Sequence, residues 1–290
     1  MDDRHDSGNM RRVMGALVLT GAFMIVEVIG GLLAGSLALL ADAGHMLTDT
    51  MALALAAVAF HVAKRPADGR LTYGYQRFQM LAAFVNGLSL LLIVGWILFE
   101  AVTRFLHPQV VLGRTMFVVA TLGLVVNLIA FVILHGGDRE NLNIRGAAIH
   151  VAGDLLGSVA AIAAAIVIVL TGWMPIDPIL SVAVAILILR SAWVLVRRSA
   201  HVLLEGAPEW LDVAAMQELV VSRVPGVGSI HHVHVWGLTP QHLMLTMHVR
   251  VDDEHGLPTD VIRDVKSVLR AEYGIDHSTI EIEREICADH

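Results

Sequence analysis

One spacing occurs twice in this chain: His45-Met46-Leu47-Thr48-Asp49 and His150-Val151-Ala152-Gly153-Asp154. On a helix, each imidazole and carboxylate would lie one turn apart on a single face. Both motifs fall in stretches apolar enough to cross a bilayer. An ionisable side chain at the bilayer centre costs about 2.5–3.5 kcal/mol on insertion scales and therefore marks a functional site. Neither motif contains Arg or Lys to neutralise its Asp. Two His and two Asp that converge make a tetrahedral nitrogen/oxygen site for a divalent transition metal. Imidazole suits zinc, cobalt, nickel and copper, whereas magnesium and calcium prefer all-oxygen shells. Zinc ranks first because it binds such a set without redox chemistry, with cadmium and cobalt as secondary cargo. The ligands must be deprotonated to bind metal, so protons compete for the site. Metal/proton antiport by alternating access is the transport mechanism these residues imply.

The elements that must position these groups are apolar. Hydrophobic residues make up 56% of the chain and mean hydropathy is +0.68, far above a soluble globular protein. Six stretches approach the roughly 20 residues that span a bilayer: Val13–Ala34, Leu37–Val62, Met80–Val102, Thr115–Leu134, Ala147–Thr171 and Pro178–Val196. Only Gly35-Ser36 separates the first two, which predicts a tight helical hairpin. With alternating spans, Arg4, Arg11, Arg12, Lys64, Arg65, Arg70, Arg77, Arg139, Arg145, Arg197 and Arg198 share one side. The positive-inside rule then puts both termini in the cytoplasm. Small residues around the motifs (Ala41, Ala43, Gly44; Ala147, Ala148, Gly153, Gly157) permit the close helix approach that convergence requires. Asp42, one turn before His45, is an entry ligand, an outer acceptor or a packing residue. Glu27, Glu100 and Asp177 read as structural caps or pairs, and Asn86 and Asn127 as interhelical hydrogen bonders.

After Ala207-Pro208 the pattern changes. Leu211–Val224 reads as a helix, Ser229–Leu238 and His242–Val251 as strands, Thr259–Tyr273 as an amphipathic helix and Thr279–Glu283 as a third strand. The predicted fold class is therefore a membrane α-helical domain of six transmembrane helices (residues 1–204), then a small cytoplasmic α+β ferredoxin-like domain (205–290). From Glu205 onward there are 15 acidic against 6 basic residues. That excess argues against nucleic acid as a partner and suits cations. The absence of a Walker-type loop argues against a nucleotide partner. A single cysteine, Cys287, rules out an intrachain disulfide. The first span is longer than a signal-peptide core and is expected to be retained.

Nine of the 15 histidines follow Arg198. Strand alternation puts His232, His234 and His248 on polar faces, with Glu281 and Glu283 less securely so. On an alternating strand His231 and His232 face opposite ways. The tail Cys287-Ala288-Asp289-His290 holds ligand-type residues, although chain termini are commonly loose.

At these residues the chain resembles the cation diffusion facilitator family, in its zinc-transporter branch of bacterial zinc-efflux type. The resemblance is carried by Gly30 to Asp49 and Asn141 to Asp154, then by Ile176-Asp177-Pro178, Leu204-Glu205-Gly206-Ala207-Pro208 and His231-His232-Val233-His234-Val235-Trp236. It covers nearly the whole chain. It implies a six-span homodimer that exports zinc against protons, with the transport site at His45, Asp49, His150 and Asp154. It also implies a regulatory zinc site in the cytoplasmic domain that uses His231, with His248 and Glu283 or Glu281. That assignment and the alternation reading differ over His231 and His232, and both stand at this point. Two departures are visible: Pro66-Ala67-Asp68 leads to Tyr73 and Tyr75 without the His of an accessory loop site, and the loop before the fifth span holds only His135.

Other classes fit less well. A membrane metalloprotease needs an HExxH-type Glu that neither motif has, so the chain does not read as an enzyme. A metal-gated channel or a membrane metal sensor remains the alternative. Compact loops and short length favour a bacterial inner membrane for this multi-pass protein.

Overall fold

A computed structural model describes residues 3–63, 65–135, 142–251, 258–284 and 287, apart from the side chains at 3–13, 49, 52, 53, 56, 57, 60, 134, 135, 142–150, 152 and 258. It contains six long helices: α1 (Asp3–Ala34), α2 (Leu37–Ala63), α3 (Phe78–Leu106), α4 (Gly113–His135), α5 (Leu142–Thr171) and α6 (Ile176–Leu203). The remainder is α7 (Val213–Arg223), β1 (Val227–Thr239), β2 (His242–Val251), α8 (Pro258–Tyr273) and β3 (His277–Glu283). Among the described residues, five helices are long and apolar enough to cross a membrane. The exception, α2, runs for 27 residues, with Leu37–Thr48 as its apolar described part. The protein is a multi-pass membrane protein.

The chain divides into two compact units, Met1–Leu55 with Val85–Leu195, and Ala56–Phe84 with Val196–His290. In the first unit, Ala34, Leu39, Met116, Ala120, Ala161 and Ala165 pack the α1–α2 turn against α4 and α5. Ala41, Leu90, Val94, Ile97, Ala185 and Ile188 pack α2 against α3 and α6. Small side chains at these contacts let the backbones approach, as membrane helix pairing requires. Gly30 shows how close: a Cβ there would fall 2.5 Å from a Val119 methyl on α4. Asn127 on α4 donates to Ser158 Oγ on α5 at 3.4 Å, the interhelical role its sequence context suggests.

The α1–α2 turn is fixed by a residue 140 positions away. Gly35 takes φ +65°, a conformation that suits glycine. Asp177, fully buried near the start of α6, then accepts from Ser36 Oγ at 2.6 Å, Leu37 N at 2.7 Å and Ala38 N at 3.2 Å. It thereby satisfies amides that the first turn of α2 leaves without helical partners. Arg104 of α3 lies 3.8 Å from the same carboxylate, pairs with Glu100 at 2.9 Å and donates to the Gly35 carbonyl. The structural duties expected for Asp177 and Glu100 are therefore both present.

In the second unit, α6 ends in a left-handed residue, Glu205 at φ +60°, with Gly206 N returning to the His201 carbonyl at 2.8 Å. Gly206 is required there, because a Cβ would strike the His201 ring at 2.3 Å. Arg77 pairs with Glu205 at 3.0 Å, so the α2–α3 loop belongs to this unit. The sheet has the order β1-β2-β3, antiparallel then parallel. Met216, Val220, Leu245, Met247, Val249, Val265 and Leu269 form its core with α7 and α8. This is the small α+β layer that the sequence pattern predicts.

Candidate metal centres

Helical geometry sets up the first centre. His45 and Asp49 lie on α2, His150 and Asp154 on α5. A cavity of 420 Å³ within the first unit is lined by Asp42 and His45 of α2 and by Asp154 of α5, against apolar walls such as Leu180, Val184 and Leu187 of α6. The structure thus brings one member of each motif to a common space. The side chains of Asp49 and His150 lie outside the described residues. Asp154 is 7% exposed, and Thr48 next to Asp49 returns its hydroxyl to the His45 carbonyl at 2.7 Å. Asp42 reaches α5 directly, its carboxylate 3.7 Å from where a Cβ on Gly157 would sit. Glu27 of α1, 2% exposed, faces Asp42. Sequence reading left Glu27 out of this neighbourhood, because it lies on a helix without a motif of its own.

The second centre lies on the sheet. His231 of β1 sits opposite His248 of β2, and His248 is level with Glu281 of β3. The Glu283 carboxylate is 2.9 Å from His231 Nε2 through one oxygen and 2.8 Å from His248 Nδ1 through the other. His248 Nε2 points the other way, 3.7 Å from Glu281. Cys287 Sγ lies 3.6 Å from His248 Nδ1. One donor atom from each of His231, His248, Glu283 and Cys287 falls within 4.8 Å of the others. Burial alone would raise the Glu283 carboxyl. Hydrogen bonds to Cys287 and His248 and the nearby His231 and His248 charges outweigh it and hold the group below the usual carboxylate range.

His231 and His232 do not face opposite ways. The β1–β2 register shifts between His231 and His234, and His232 adopts φ +49°. This β-bulge turns consecutive side chains to one side. The rings of His231, His232 and His248 consequently lie 4.9–5.5 Å apart, centroid to centroid. His234 is exposed, pairs in register with Thr246 and lies outside this convergence. Cys287 is the contributor that strand patterns do not reveal; the sequence marks it as a ligand-type residue of the tail, and the structure brings it to His248.

The α2–α3 loop has its own carboxylate, Asp68. It accepts from Arg70 N and Leu71 N at 2.8 Å each and from Tyr75 Oη at 2.6 Å. Those bonds use it as a turn-former, in keeping with the missing His of an accessory site.

Comparison with known proteins agrees with both halves. Residues 13–204 match the cation efflux transmembrane domain and residues 208–285 the cation efflux protein cytoplasmic domain. The chain is 51% identical to a zinc transporter ZitB of Pectobacterium atrosepticum over 98% of its length and 88% of that protein's. It is 44% identical to the metal cation efflux system protein CzcD of Cupriavidus metallidurans, covering 98% and 89%. It is 42% identical to a cadmium, cobalt and zinc/H(+)-K(+) antiporter of Bacillus subtilis, covering 98% and 93%. With a matching transmembrane model over most of its length and relatives this similar, the chain belongs to the cation efflux, or cation diffusion facilitator, family.

Proposed function

We propose that the protein is a zinc/proton antiporter that exports zinc, and secondarily cadmium or cobalt, from the cytoplasm by alternating access. The observation that carries this reading is the cavity that joins His45 on α2 to Asp154 on α5. The repeated spacing adds Asp49 and His150 to the same helices one turn away, giving a His₂Asp₂ set suited to zinc. The names of the zinc-transporting and antiporting relatives support the cargo and its counter-ion. Imidazole ordinarily titrates near pH 6.5, roughly, so protons arriving from the outer side compete with bound zinc and help release it. Rocking of the helices then returns the protonated site to the cytoplasmic side. The protein acts as a carrier and not as an enzyme.

On this reading residues 1–204 form the transport domain and residues 205–290 a cytoplasmic domain that binds zinc and joins two copies into a homodimer. Both termini face the cytoplasm of a bacterial inner membrane. His231, His248 and Glu283 hold the regulatory zinc. Glu281 orients His248 through its outer nitrogen, as partners of metal-bound imidazoles commonly do. His232 walls the site against His248, and His234 contributes least.

Zinc uptake by proteoliposomes that are acidic inside tests the proposal, with wild type compared with Asp49→Ala and Asp154→Ala. Gradient-dependent uptake should fall at least about a hundredfold in both variants, comparable to losing a transition-metal ligand and its charge. Uptake that ignores the pH gradient would leave a metal-gated channel, and zinc binding without flux would leave a membrane sensor.

A further inference from the structure

We propose that Cys287 is the fourth ligand of the cytoplasmic site, a thiolate that closes a two-nitrogen, one-oxygen, one-sulfur tetrahedron around a borderline or soft divalent cation. This rests on the reading of that domain as metal-binding and goes beyond the His and Glu ligands assigned above.

The geometry selects the donor atoms. His248 turns Nδ1, not Nε2, toward both Glu283 (2.8 Å) and Cys287 (3.6 Å). His231 turns Nε2 toward Glu283 at 2.9 Å. Tetrahedral zinc with bonds near 2.0–2.3 Å needs donors about 3.4–3.8 Å apart. The four donors already lie within 4.8 Å, so reaching that arrangement takes a small adjustment in which the 2.8–2.9 Å contacts to Glu283 open and the widest separations close. Glu283 now spans the two imidazoles and occupies the centre by hydrogen bonding. A cation would exchange those contacts for four bonds to itself.

A second observation is independent of the cysteine. His232 at φ +49° lies in a sparsely populated conformation for a residue with a side chain, one that persists only where the surroundings hold it there. The bulge that imposes this is what aims His231 into the cluster. The backbone is therefore arranged for convergence of donors and not for regular strand pairing.

Closure by sulfur has two chemical consequences. Three protein ligands would leave one coordination position to water, whereas four make the closed shell of a structural site. Thiolate also shifts preference toward softer cations such as cadmium. Coordination replaces the thiol proton by the metal: the S–H bond breaks, an S–metal bond forms, and one proton passes to solvent without oxidation or reduction.

The chain has one cysteine in 290 residues, so any thiolate-to-metal signal from the full-length protein reports this position alone. Cobalt(II) titrated into the detergent-solubilised protein should produce near-ultraviolet sulfur-to-cobalt charge transfer, absent in Cys287→Ser. Zinc should slow alkylation of Cys287 by iodoacetamide at least about tenfold, and His248→Ala should abolish that protection. If no charge-transfer band develops and zinc leaves alkylation unchanged, while His231→Ala and His248→Ala still weaken zinc binding, Cys287 is not a ligand and the three-residue site stands. If those His substitutions also leave binding unchanged, the cytoplasmic metal site itself falls.

Discussion

The two candidate centres draw their ligands from opposite kinds of architecture. In the membrane unit the four proposed ligands come from two helices, and within each helix a fixed rise and rotation ties His to Asp. In the other unit they come from three strands and the segment after β3, and a bulge decides which side chains meet. A helix-borne pair keeps its internal geometry whatever its neighbours do; only the placement of one helix against the other can fail. A sheet-borne cluster depends on the register at every strand. The first centre should therefore be sensitive to residues that seat whole helices, and the second to single side chains at the bulge.

Asp177 offers the largest test of that contrast. It is fully buried, holds the first turn of α2 through three hydrogen bonds and faces Arg104. Asp177→Ala leaves the Leu37 and Ala38 amides without their side-chain acceptor, at about 1–3 kcal/mol for each buried group left unsatisfied, while Arg104 keeps Glu100 and the Gly35 carbonyl. Thermal unfolding of the solubilised protein should show a marked loss, with Asp177→Asn milder because its carbonyl oxygen still accepts. Zinc flux should fall in step, although the groups Asp177 holds, Ser36, Leu37 and Ala38, are not proposed ligands. Unchanged stability in the Ala variant would mean that α2 is seated by apolar packing alone, and the contrast would lose its first half.

A smaller effect is expected at the bulge. His231→Ala should weaken zinc binding at the sheet site about 10–100-fold, in the range seen when groups that support a metal site are lost. His234→Ala should change it less than about twofold, because that residue is exposed and pairs in register with Thr246. Isothermal titration of the purified protein with the membrane site disabled by Asp154→Ala separates the two. Equal losses at residues 231 and 234 would mean that the strand straightens on binding and that alternation, not the bulge, governs the donors.

This contrast also explains which parts could be read from the amino acids. Apolar length marks the six long helices, and the period-two pattern marks β2 over the residues observed, His242–Val251. The HxxxD spacing points to the cavity because i and i+4 share a helix face wherever the helix goes. Nothing comparable announces that Asp177 will cap a helix 140 residues earlier, since its partners are backbone amides with no side-chain signature. Strand alternation puts His231 and His232 on opposite faces, and a positive φ at a histidine is what overturns it. Cys287 and Glu27 stand out by residue type, but their neighbours do not, for a related reason: each reaches them from a different element, and no spacing links them.

Asp68 gives the smallest and most local test. It is the one carboxylate of the α2–α3 loop, and its partners all lie within seven residues. The Tyr75 hydroxyl, followed by the Leu71 and Arg70 amides, holds its carboxyl below the ordinary range, and Asp68 in turn holds the Tyr75 phenol above its own. The signs follow from which form each bond favours. The Asp68 contribution to loop order is complete above the ordinary carboxylate pKa of about 3.9 and fades as pH falls through the lowered value. The Tyr75 contribution is complete below about pH 10 and fades as pH rises through the raised value. Phenolate absorbance should therefore place Tyr75 above an ordinary tyrosine, with Tyr75→Phe identifying its share among three tyrosines. Asp68→Asn should move that titration back toward pH 10, roughly the free value. Added zinc should leave it unmoved, because a carboxylate already committed to two amides and a phenol has no place in either centre. A zinc-dependent shift would instead make this loop a third metal position, assembled from residues that spacing does not connect.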